Sequence, residues 1–394
     1  SPTATGTLTS SDVDADATAT WSVDTTPTGT NTTQYGTISI DPATGQWTYT
    51  LDNSLAATQA LKEGERVEQT FTATVTDDNG ATATETITVT INGTNDAPVV
   101  DSAAAAAQGS VTEDAAAHTA TGTLTSSDVD ANATEAWSIN GDGSGTYGSI
   151  AIDPATGTWT YTLDNSLAAT QGLTNGQEVT ETFTATVTDD KGATDTQVIT
   201  VTVTGTNDVP VITAGGTTTG SVTELADGHA NENTINHTAT GTLDFTDADI
   251  TDAHQVSANN PAGYVGTFTP TVDTATGEVT WTFTVSDADI DHLDGNTSLT
   301  QTYTITLDDQ QGGTTTQDVT ITINGTNDAP VIDLDSDVGE GATGFSATYT
   351  EDDAPISIAD TDMDVVDVDT PHLASATITL TNPQANDVLS TSNV

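Results

Sequence analysis

Three stretches of this 394-residue chain spell Gly-Thr-Asn-Asp-x-Pro: residues 93–98, 205–210 and 325–330. An adjacent Asn and Asp offer two hard oxygen donors. Asp128 and Asp130 follow Asp96 by 32 and 34 residues, in "SDVDA". A D-x-D in an extended segment puts both carboxylates on one side. Asp189, in the turn closing "TVTDD", can reach the same end of its unit. Ca2+ takes about six to eight oxygens from carboxylates, amide side chains and carbonyls, and the junction after the first unit gathers that chemistry from Asn95, Asp96, Asp128, Asp130 and Asp189. The competing reading is a metal-free Asx-Pro turn. Recurrence of N-D with a D-x-D some 30 to 40 residues on favours the ion.

The chain carries 58 Asp plus Glu against three Lys plus Arg (Lys62, Arg66, Lys191), a net charge of −55. Such a surface repels nucleic acid and anionic lipid, so neither is expected as a partner. It cannot neutralise itself with ion pairs; water, salt or bound cations must do so. Cysteine is absent, which leaves packing or metal to supply stiffness. No apolar run is long enough to span a membrane, and no direct insertion is expected. The chain begins mid-pattern and without Met, and reads as a piece of something longer.

The elements that must position these acids repeat. "TATGTLTSSDVDA" at 3–15 returns at 119–131, "IDPATG" at 40–45 returns at 152–157, and "FTATVTDD" at 71–78 returns at 183–190. A more divergent third copy has "TATGTLDFTDAD" at 238–249 and "YTITLDDQQGG" at 303–313, and a fourth begins with "TYTEDD" at 348–353. The expected repeats are 1–97 (lacking its first strand), 98–209, 210–329 and an incomplete 330–394. Trp47, Tyr49 and Leu51 alternate with Thr, as do Phe71, Ala73 and Val75. Period two means one buried face and one Thr face in water. "TDDNGAT" and "TDDKGAT" mark hairpin turns, and "SLAATQAL" at 54–61 breaks the alternation with one helical turn. Short strands joined by turns in repeats of this size give an all-β class and a β-sandwich; a parallel β-helix would need a far shorter repeat.

The order "YGSIAIDPATGTWTYTLDNSLAA…FTATVTDDKGAT…VTVTGTNDVPVI" resembles the VCBS repeats of large bacterial surface proteins, cadherin-like (Ig-like) sandwiches in tandem in adhesins of the RTX, type I-secreted kind. The third copy departs from the pattern, with Val279 where the first two have Trp47 and Trp159. The resemblance implies an elongated, calcium-stiffened rod, secreted or on the bacterial outer surface. Such a rod extends an adhesin in cell adhesion or biofilm, with neighbouring repeats of the same chain as its partners. A host or biofilm ligand is then met through other regions. Cadherin-like repeats also point an early Glu at the following junction. "SVTED", "SVTEL" and "TYTED" supply Glu113, Glu224 and Glu351. The second junction then takes Asn207, Asp208, Asp247, Asp249 and Asp309, with Glu113. The third takes Asn327, Asp328, Asp360 and Asp362, with Glu224. Asp12, Asp14 and Asp77 face a linker preceding Ser1, an incomplete site. Glu63 and Glu65 stand near the remaining cadherin acidic motif, but Asn175 and Gln177 replace them in copy two.

Other readings find less. Asp12-x-Asp14-x-Asp16 and Asp360-x-Asp362-x-Asp364 lack the Gly and final Glu of an EF-hand loop. His118 and His237 share a register but make no common site. H-E-x-x-H, G-x-S-x-G and a Cys nucleophile are all absent, so no enzyme is expected. The rival functions are repeats that grip carbohydrate or protein directly, which needs exposed aromatics, and accessory modules of a large secreted enzyme.

Overall fold

Alternation of β-branched and aromatic residues with Thr builds strands that are dry on one face. The computed structural model describes residues 2–14, 17–334 and, between 344 and 390, all but 351, 360, 362, 382 and 386. The chain divides into two compact units, Ser1–Thr206 and Asn207–Val394.

The first unit holds two sandwiches. In the first, Thr3–Thr7, Gln46–Leu51 and Gly36–Ile40 form one sheet, and Ala19–Val23, Arg66–Asp77 and Thr82–Asn92 the other. In the second, Thr119–Thr123, Thr158–Leu163 and Gly148–Ile152 face a four-stranded sheet of Glu135–Ile139, Glu178–Asp189, Thr194–Thr204 and Gln108–Thr112. That last strand pairs in parallel with Thr194–Thr204; it is the opening strand that repeat 1 lacks. In the second unit the third sandwich pairs Val211–Ile212, Asn236–Thr246, Glu278–Ser286 and Thr267–Asp273 in one sheet. Its other sheet holds Thr219–Thr223, Thr314–Asn324, Ser298–Asp308 and Gln255–Ala258. Of the fourth repeat, Val331–Asp333 pairs with Asp364–Val366. The helical turn expected at 54–61 is Ala56–Gln59, and Ala168–Gln171 and Asp287–Ile290 precede the long hairpins of the other two sandwiches.

Each sandwich has its own core, centred on Tyr49 and Phe71, on Trp159, Tyr161 and Phe183, and on Trp281, Phe283 and Tyr303. The register corrects one sequence expectation. Gly6 faces Trp47, Gly122 faces Trp159, and Gly241 faces Trp281, not Val279. The hairpin of repeat 3 is longer, so its Trp stands four residues past the turn glycine Gly277, while Trp159 stands two past Gly157. The indoles match in use: Trp159 Nε1 donates to the carbonyl of Ala106 (2.8 Å) and Trp281 Nε1 to that of Thr217 (2.7 Å). A Cβ on Gly122 would lie 2.7 Å from the Trp159 ring and 2.4 Å from the Ala106 oxygen. Only glycine fits there, which explains "TATGTL". The linker glycines obey the same rule. A Cβ on Gly93, Gly205 or Gly325 would meet the carbonyl oxygen of Leu61, Leu173 or Leu293 at 2.4, 2.2 and 2.1 Å.

Candidate metal centres at the repeat ends

With its glycine pressed against the preceding loop, each linker leaves its strand along a fixed path. After repeat 1, Asn95 Nδ2 donates to the Asp96 carbonyl (2.7 Å) and to Asp189 Oδ2 (2.8 Å). The Asp96 amide donates to Asp130 Oδ2 (3.0 Å). The Asp130 amide in turn donates to Asp128 Oδ1 (2.8 Å), so the D-x-D is an Asx turn and not the extended segment expected. A further contact, Ala131 N–H to the Ala60 carbonyl (3.2 Å), ties this loop to repeat 1. All five residues predicted for this junction therefore meet in one network. Asp128 Oδ2 and Asp130 Oδ1 are buried without a hydrogen-bond partner. The Asn95 amide, with loop N–H groups, holds the Asp189 carboxyl below its ordinary range. Burial, then the charges of Asp130 and Asp128, raise that of Asp96.

The same wiring opens the second unit. Asn207 Nδ2 donates to the Asp208 carbonyl (3.1 Å) and Asp309 Oδ2 (3.0 Å), the Asp208 amide to Asp249 Oδ2 (2.9 Å), and the Asp249 amide to Asp247 Oδ1 (3.0 Å). Two residues not expected from sequence join it. Asp252 stands where repeat 2 has Ala133, each donating its amide to the carbonyl of the second Asp of the D-x-D. His254 Nε2 contacts Asp247 Oδ2 at 2.8 Å. Asn207 Oδ1, Asp249 Oδ1 and Asp252 Oδ2 are buried without partners. Burial chiefly, with the charges of Asp252, Asp208 and Asp247, pushes the Asp249 carboxyl up to about 6. Burial opposes the shift at Asp309, but bonds from Asn207 and the turn N–H groups win and lower it.

At the third linker Asn327 Nδ2 donates to the Asp328 carbonyl (2.7 Å), and the Asp328 amide to Asp369 Oδ2 (3.0 Å). Asp369 thus occupies the position of Asp130 and Asp249. Its tripeptide, Asp367-Val368-Asp369, repeats the "DVD" of 128–130, a signal present in the sequence. Asp360 and Asp362, expected here, lie outside the described residues, as does Glu351. Glu224, Asp291 and Asp328 each bring a carboxylate oxygen within 4.8 Å of the others. Glu224 Oε1, Asp291 Oδ1, Asp328 Oδ2 and Asp369 Oδ1 are buried without partners. The Glu224 carboxyl is pushed up to about 7, by burial first and then by Asp328, Asp291 and Asp287, against one bond from the Thr326 amide. Glu113, in the first unit, is fully buried at the end of its strand, accepting from the Thr206 amide (3.1 Å) and Gln171 Nε2 (2.9 Å). Asp12 and Asp14 form the same Asx turn (2.9 Å) and Asp77 caps its own turn.

Buried carboxylate oxygens without donors are costly unless a cation or proton satisfies them. Two of the three Lys and Arg stand elsewhere: Lys191 pairs with Asp190, and Arg66 lies 3.8 Å from Glu68. Sets made chiefly of carboxylates beside a linker Asn fit a hard divalent cation such as Ca2+. Trp159, Tyr161, Trp281 and Tyr303, which alternate with Thr in their strands, are buried in the cores. Among the described residues, no helix is long and apolar enough to cross a membrane.

Comparison with curated proteins gives no match. Among solved structures, mouse cadherin-23 EC22–24 aligns at 18% identity and a TM-score of 0.43, over 81% of this chain and 89% of that one. A protocadherin gamma B7 EC3–6 cis-dimer structure aligns at 17% and 0.41, over 79% of this chain and 69% of that one. The family model described as "Bacterial cadherin-like domain" matches residues 1–93 and 95–205, together more than half of the chain, and the two matches meet at the first Gly-Thr-Asn-Asp linker. The chain belongs to the bacterial cadherin-like domain family.

Proposed function

We propose that the chain is an extender of a bacterial surface adhesin, a run of VCBS-type repeats whose linkers are stiffened by Ca2+. What carries the reading is one bond made three times. The linker Asp amide reaches the second carboxylate of a D-x-D (Asp96 to Asp130, Asp208 to Asp249, Asp328 to Asp369), and each time buried carboxylate oxygens remain without a donor.

Bound Ca2+ would supply the positive charge these oxygens lack. At the first two linkers the residues supply the geometry: the Asx turn aims two carboxylates, and the linker Asn tethers the linker to the aspartate of the far hairpin. With a cation held there, linker and repeat end share one set of ligands and the hinge loses its freedom. Without it the carboxylates repel and the linker swings. A large repeat protein of the RTX, type I-secreted kind meets calcium outside the cell, which fits a secreted or outer-surface location and a role in adhesion or biofilm. The adhesin's own target is then bound by other regions.

Calcium titrated calorimetrically into the full chain, in a large excess of Mg2+, should give saturable binding in the range of extracellular calcium modules, about 10⁻⁴ M or tighter. Mg2+ demands a stricter octahedron and keeps its waters, so it should compete poorly. Absence of calcium-specific binding would remove the basis of the reading.

A further inference from the structure

Repeats 2 and 3 close their bases differently. In both, a glutamate follows the opening strand: Glu113 after Gln108–Thr112, Glu224 after Thr219–Thr223. In both its amide donates to the last residue of the long hairpin, Thr204 (2.9 Å) or Asn324 (3.0 Å). In both one carboxylate oxygen accepts from the Thr of Gly-Thr-Asn-Asp, Thr206 (3.1 Å) or Thr326 (2.8 Å). The other oxygen separates them. In repeat 2, Gln171 Nε2 donates to Glu113 Oε1 at 2.9 Å. In repeat 3, position 291 holds Asp, two residues before the buried Leu293 as Gln171 is two before Leu173. Glu224 is 2% exposed, and its Oε1 has no partner. Asp291 and Asp328 aim at the same point, with all three carboxylates inside 4.8 Å and unpartnered oxygens on Asp291 and Asp328 too.

An amide in one repeat and a carboxylate in the other have opposite requirements. Gln171 brings a donor and satisfies Glu113 without any ion. Asp291 brings a second negative charge to a buried oxygen that already lacks a donor. The Asp227 amide on Asp328 Oδ1 (2.7 Å) fixes the third carboxylate but leaves its Oδ2 free of donors.

We infer that residue 291 makes the base of repeat 3 a divalent-cation seat of its own, built from Glu224, Asp291 and Asp328, whereas Gln171 closes the base of repeat 2 with a neutral amide and no ion. The linkers of this chain are therefore unequal in their demand for calcium. The inference deepens the extender reading and rests on it.

The test is reciprocal exchange in the full chain, with calcium stoichiometry read by calorimetry and folding checked by circular dichroism. Asp291→Gln should lose one calcium equivalent, or weaken one class of site at least about tenfold through loss of a charged ligand. Gln171→Asp should add one. Unchanged stoichiometry and affinity in Asp291→Gln, with calcium still binding, overturns the inference and leaves the extender reading standing. Should that variant fold poorly, Gln171→Asp decides, and no added site there overturns the inference. A wild-type chain that takes up no calcium overturns the extender reading itself.

Discussion

Stripping divalent cations from the full chain is expected to lower its thermal midpoint by roughly 5–10 °C for each repeat that owns a fully engaged site. A ligand at about 100 times its Kd stabilises the folded form by about 2.7 kcal/mol, and a domain of this size moves by several degrees per kcal/mol. The transitions should separate by repeat, since each sandwich has its own core. The third, with Glu224, Asp291 and Asp328 at one end and Asp247, Asp249 and Asp252 at the other, should move most. Scanning calorimetry with chelator, with Ca2+ and with Mg2+ checks this. Restoration by Ca2+ and not by Mg2+ is expected; three coincident traces would contradict it.

Acidification should then stabilise the chelated chain, the reverse of ordinary acid denaturation. Burial holds the Glu224 carboxyl near 7 against an ordinary 4.5, and Asp249 near 6 against 3.8; Asp96, Asp252 and Asp328 are also raised. A raised carboxyl binds its proton more tightly folded than unfolded, so stability falls as pH rises from about 4 through 7. Going from pH 8 to pH 5 without calcium should therefore stabilise the fold, by an amount on the order of a few kcal/mol summed over these groups, and raise its midpoint accordingly. Asp189 and Asp309 run the other way. Their depressed values make stability that is present above about pH 4 and lost below it, which sets a maximum near pH 5. With calcium bound the slope reverses, because protons displace the ion. Melting curves between pH 4 and 8, with and without chelator, should diverge at high pH and converge at low. Parallel curves would show that these carboxylates hold no ion.

Much of the architecture follows from period two and repetition. Phe71, Ala73 and Val75 point inward because they alternate with Thr, and "FTATVTDD" recurs with the same register. The grouping at the first linker was legible too: Asn95, Asp96, Asp128, Asp130 and Asp189 share one hydrogen-bond network, and the second linker repeats its wiring although its D-x-D follows at a longer spacing. What escaped came from insertions and local curvature. Two extra residues in each arm of a hairpin move Trp281 away from the position that counting from the turn assigns to it. The D-x-D looks extended on paper, yet its first carboxylate takes the backbone N–H of the second Asp and curls it. In the fourth repeat three D-x-D tripeptides compete, at 360–362, 362–364 and 367–369, and only partner geometry selects Asp367–Asp369. Asp291 and Asp252 have no counterparts in repeat 2, where Gln171 and Ala133 stand, so repetition itself hid them.

Small-angle scattering from the full chain, in Ca2+ and in chelator with Mg2+ as control, tests most directly whether the linkers are stiffened by calcium. The account predicts a longer maximum dimension and a narrower range of shapes in Ca2+ alone, with Mg2+ resembling the chelated state. Identical profiles in all three conditions would contradict it.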